Sequence, residues 1–70
     1  MNLFDGEKGK SFIISDIKTD DNDLKSFLFS LGCYSGENIT IINKKKSGLI
    51  VVIKDGRYSI DSQLAKTIII

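Results

Sequence analysis

The chain contains no histidine, no proline and no tryptophan, and only one cysteine and one arginine. Without His there is no Ser-His or Cys-His pair to activate a nucleophile. Transition-metal sites draw on several imidazole or thiolate ligands, and Cys33 is alone. A single Cys also excludes the paired cysteines of a small secreted domain. No apolar run approaches the ~20 residues that span a bilayer. The opening MNLFDGEKGK puts acid where a signal peptide needs a basic and then an apolar stretch. A cytosolic address is the expectation. Ten basic residues against nine acidic leave a net charge of +1, and nine of the ten are Lys, with Arg57 the exception. Nucleic-acid binders tend to be more basic, with Arg at phosphates and base edges.

What is present suits a small β-rich fold. Seventy residues make one domain, spanning 1–70. A chain this short buries roughly 60% of its unfolded surface, so its core is thin and leaves little for a deep cleft. Leu3-Phe4 reads as an apolar anchor, followed by a turn at Gly6 and Gly9. Ser11 to Ile17, SFIISDI, has the β-branched content of a first strand. Thr19 to Gly32 reads as a capped helix, centred on residues 21–31. Asp21 or Asn22 can cap it, and Asp20, Asp21 and Asp23 sit where the helix dipole favours negative charge. Leu24, Phe27, Leu28 and Leu31 form one apolar stripe. Gly32 supplies a left-handed stop.

Beyond Gly32 the period becomes strand-like. ENITIIN (Glu37 to Asn43) is a strand, KKKSG (Lys44 to Gly48) a polar turn, and LIVVIK (Leu49 to Lys54) the next strand. Asp55-Gly56 is a two-residue hairpin signal. RYSI (Arg57 to Ile60) returns as a strand, and Ser62 to Ala65 forms one helical turn capped by Asp61 or Ser62. Thr67 to Ile70 closes as a last strand. Five or six short strands and one helix predict a small antiparallel barrel of SH3-like type, closed or partly closed.

Chemistry-bearing clusters are few. Asp20, Asp21 and Asp23 lack the glycine and distal Glu of a calcium loop, and capping accounts for them. Gly6 and Gly9 lack the lysine-hydroxyl ending of a phosphate loop. No catalytic, cofactor or metal residues are assigned, and the chain is expected not to be an enzyme. Two surfaces remain for binding a partner. Phe29 lies off the helix stripe, where it either packs under Leu3-Phe4 or a loop, or stands exposed as a contact. Tyr34 follows just past the helix. Lys44, Lys45 and Lys46 form a basic hairpin tip, either a solubilising turn or a contact for acidic partners or anionic headgroups.

LKSFLFSLGCYSG (Leu24 to Gly36) resembles the L-x-x-x-L-x-x-L-G-x-x-x-G pattern of the ferrous iron transport protein A (FeoA) family. The second half is similar too. Val52-Ile53, Asp55-Gly56, Tyr58 and Ile60 follow the family's hairpin, and Ala65 precedes the closing strand. Ser35 stands where the family commonly has Pro, and Phe27 and Asp61 stand where it commonly has basic residues. The resemblance implies a cytoplasmic accessory protein of bacterial ferrous iron uptake. Its implied partner is FeoB, a membrane transporter with a cytosolic GTP-binding domain, which would hold it at the inner face of the membrane. Neither membrane insertion nor nucleic-acid binding is expected. The alternatives are a regulatory SH3-like domain similar to the C-terminal domain of iron-dependent repressors, or a nucleic-acid-binding small barrel.

Overall fold

A computed structural model describes all of residues 1–70. The elements run from a 3-10 turn at Leu3–Asp5 through β1 (Ser11–Ile13), β2 (Asp16–Ile17) and α1 (Asn22–Leu31) to β3 (Asn38–Lys45). Then come β4 (Gly48–Ile53), β5 (Gly56–Asp61), α2 (Ser62–Thr67) and β6 (Ile68–Ile69). Four strands form one antiparallel sheet in the order β1-β3-β4-β5, and β2 pairs with β6 in a second. The two sheets stay separate, so the barrel is open. The fold is mainly β, as the sequence predicts.

Strand alternation builds the core. Val51 sits between Ile41 and Tyr58, and Ile53 between Ile39 and Gly56, on one face of the sheet. Thirteen buried side chains pack there, all hydrophobic, with Leu3, Ile14, Leu28 and Ile68 arriving from outside the large sheet. Burial of each is worth roughly 1.5–3 kcal/mol for the larger aliphatics.

Several expectations shift. Ser11 to Ile17 is not one strand. Ile14 and Ile17 are both buried although three residues apart, which a straight period of two forbids. The chain bends between them. Ile14 still pairs with Glu37, while the Ser15 amide already bonds the Ile69 carbonyl at 2.8 Å. The second helix is longer than one turn, reaching Thr67, with the Asp61 carboxylate capping the Leu64 amide at 2.8 Å. The last strand is correspondingly only Ile68–Ile69. The β4–β5 turn is Lys54-Asp55, one residue earlier than Asp55-Gly56, and Lys54 takes φ +53°. Gly56 pairs with Ile53 as the first residue of β5, and the Tyr58 ring lies across its bare backbone.

The helix stripe is narrower than four residues. Leu28 is fully buried, Leu24 and Leu31 are partly buried, and Phe27 is 49% exposed. The core centres on Leu28, and Phe27 and Phe29 each lie about 100° from it, on opposite flanks.

Candidate partner-binding surface

The end of α1 and the turn after it are fixed by backbone bonds. The Gly32 amide donates to the Leu28 and Phe29 carbonyls, and the Cys33 amide donates to Leu28 at 2.9 Å. Gly32 takes φ +97°, and a Cβ there would stand 3.2 Å from Ile53 Cγ2. A glycine thus lets the helix end sit directly against the β4–β5 hairpin. Past it, Cys33 turns into the core and Tyr34 turns out. The Gly36 amide donates to the Ile14 carbonyl at 2.8 Å, which anchors this turn to the β1–β2 bend.

Phe29 and Tyr34 meet on this platform. Phe29 is 46% and Tyr34 37% exposed, and their rings stand edge-to-face with centroids 6.3 Å apart. Phe29 does not pack under Leu3-Phe4. Lys54 comes across from the hairpin tip. Its ammonium donates to the Tyr34 hydroxyl, lies 4.9 Å from the ring centroid and 3.7 Å from a Glu37 carboxylate oxygen. The Tyr34 hydrogen bond, followed by the Glu37 charge, raises the Lys54 pKa. An open groove of about 480 Å³ runs between them, floored by Leu31, Ile53 and Tyr58. Aromatic edges, an amphipathic phenol and a held cation suit recognition of another surface. Nothing in this set pairs a nucleophile with a base.

The three lysines do not form one tip. β3 runs on to Lys45, so the turn is Lys46-Ser47. A bulge between Ile41 and Asn43 resets the phase, and Lys44 pairs with Leu49. The Lys44 ammonium donates to the Gly6 carbonyl at 3.1 Å and lies 5.1 Å from the Phe4 centroid. Lys66 approaches the same ring at 5.6 Å. Only Lys45 and Lys46 are left for the outer end of the hairpin.

The Asp21 carboxylate accepts from the Asp23 and Leu24 amides at 3.0 and 3.1 Å, the cap expected of it. Nowhere do three Cys, Asp or Glu side chains gather as a metal would require. Cys33 is fully buried, and burial pushes its thiol pKa up to about 11. Sequence reasoning missed Lys54 and Glu37. Their meeting depends on the hairpin folding back to the helix end, and no local pattern announces it.

The whole chain, residues 1–70, matches the model of the FeoA domain. Comparison with curated proteins returns no match. Among solved structures, an iron uptake regulatory protein, FeoA, superposes with a TM-score of 0.88 at 22% identity, covering 97% of this chain and 91% of that one. Stenotrophomonas maltophilia FeoA, complexed with zinc, gives 0.87 at 19% identity over 99% and 87%. That protein is described as a procaryotic SH3 domain protein and a candidate ferrous iron transport activating factor. A manganese-dependent transcriptional repressor gives 0.89 at 16% identity, with 97% of this chain matching 39% of the repressor. These likenesses establish an SH3-like fold. The family model, matched from the first residue to the last, establishes that the chain belongs to the FeoA family.

Proposed function

We propose that this chain is a non-catalytic binding module of bacterial ferrous iron transport, acting on the cytosolic part of a FeoB-type GTP-binding membrane transporter. Family membership supports the transport role. One observation supports the mode of action: Phe29, Tyr34 and Lys54 form an exposed cluster before any partner arrives. Aromatics held this way offer contact area at little entropic cost and are common anchors of interfaces. The contact surface is the end of α1 with the Lys54-Asp55 tip.

The test is capture of the full chain by the transporter's immobilised cytosolic domain. Phe29→Ser should weaken capture about tenfold or more, the loss of one anchor, with the thermal midpoint unchanged. Replacing Lys44, Lys45 and Lys46 with Gln should have a smaller effect that fades at high salt. Normal capture by folded Phe29→Ser, with capture lost in the lysine variant, would move the interface to the β3–β4 hairpin.

A further inference from the structure

Strand β5 ends the large sheet with no strand beside it, while α1 approaches it from one side through Phe27 and Leu31. The pairing register tells which of its backbone groups are free. Gly48 faces Asp61, and next to that pair the Ser62 amide donates to the Ser47 carbonyl at 2.9 Å. Antiparallel bonding alternates, so Ile60, Tyr58 and Gly56 bond toward β4, while Arg57 and Ser59 point amide and carbonyl outward and Asp61 its amide, its carbonyl being taken up as the N-cap acceptor of α2. Outside the ladder, no backbone bond reaches Arg57 or Ser59. All three odd residues are also exposed on the sheet's outer face.

Edge strands are commonly guarded by charge. The guards here are Arg57 and Asp61, of opposite sign and symmetric about Ser59. A second β5 laid antiparallel with Ser59 facing Ser59 puts Arg57 opposite Asp61 at both ends. The Ser59 pair is then placed to exchange both backbone bonds, and at each end the Asp61 amide is placed to donate to the Arg57 carbonyl. Within the strand, other registers set these charges against neutral groups or against their like. One oxygen of Asp61, Oδ1, caps α2 through Leu64, which leaves Oδ2 for an arginine.

A mixed polar and apolar groove of about 450 Å³ over the β3–β4 end of the sheet, with Asn43, Lys45 and Leu49 in its wall, extends to this strand. Phe27, half exposed, lines it with Ile60, Leu64 and Ser59.

We propose that the chain forms a two-fold dimer by antiparallel β5–β5 pairing centred on Ser59, with two Arg57–Asp61 ion pairs between copies. Arg57, Ser59 and Asp61 do not line the groove at the Phe29–Tyr34 cluster, although their strand neighbours Gly56 and Tyr58 do.

Sedimentation equilibrium of the full chain across a concentration series tests it. Wild type should show a reversible monomer–dimer equilibrium. Ser59→Pro removes an outward amide that bonds nothing within the chain, a place where edge strands tolerate proline. It should be folded, with circular dichroism like wild type, and monomeric. Arg57→Glu and Asp61→Lys should each be monomeric alone and form a heterodimer when mixed, because mixing restores both ion pairs. Wild type that stays monomeric up to millimolar concentration would overturn the proposal. So would a dimer that survives in folded Ser59→Pro, which would mean the copies meet elsewhere. Should Asp61→Lys melt early through loss of its cap, Ser59→Pro and Arg57→Glu decide the matter.

Discussion

Leu28 and Phe29 are neighbours in sequence with opposite duties, because the helix turns about 100° between them. Leu28 is fully enclosed by aliphatics, and Leu28→Ala should cost about 2–5 kcal/mol through lost contacts and a residual cavity. Urea denaturation should show the midpoint falling steeply, and a midpoint equal to wild type would contradict the packing. Phe29→Ser, at a half-exposed site, should leave that midpoint nearly in place. Cys33 gives a pH signature. Its thiol pKa rises from 9.0 to about 11 on folding because burial disfavours the thiolate. Above pH 9 the unfolded thiol ionises while the folded one keeps its proton, so stability falls as pH rises. By pH 11 the loss reaches about 2–3 kcal/mol. Cys33→Ala lacks this loss, so the stability gap between wild type and variant should shrink between pH 9 and 11 in urea melts. A gap independent of pH would mean that the thiol is not desolvated.

At the scale of elements, α1 is held by local chemistry. Asp21→Ala should cost about 1 kcal/mol by freeing the Asp23 and Leu24 amides, and Asp21→Asn should recover most of it. Equal stability of all three would show that the cap contributes nothing. This helix could be read from sequence to within a residue, since its cap, its apolar period and Gly32 all lie inside one short segment. The strands of the β3–β4 and β4–β5 hairpins were readable in the same way, less so their turns. Features set by distant pairing were not. Ile14 and Ile17 broke the alternation visibly, but that Asp16 would pair with Ile69 depends on closing nearly the whole chain. The bulge after Ile41 left no mark in the sequence, and with it went the placement of Lys44. The candidate surface divides similarly. Phe29 and Tyr34 were legible as aromatics left over after the core was filled, whereas Lys54 and Glu37 joined them only through the fold.

For the whole molecule, what stands out is a small core fully spent on stability and a surface available for contact. Every buried residue of the core cluster is apolar, and no helix is long and apolar enough to cross a membrane. With no His and one enclosed thiol, anaerobic titration of the chain with ferrous iron should show no saturable site of micromolar affinity or better. A stoichiometric site would point to surface carboxylates acting together. The central claim is that the molecule works by presenting the end of α1 and the Lys54-Asp55 tip to the transporter. Nuclear magnetic resonance of the isotope-labelled chain, titrated with the transporter's unlabelled cytosolic domain, tests it residue by residue. The account predicts that the amide signals perturbed first are those of Phe29 to Gly36 and Lys54 to Gly56, with Lys45 and Lys46 little changed. Perturbation confined to the β3–β4 hairpin, or none at saturating partner, would contradict it.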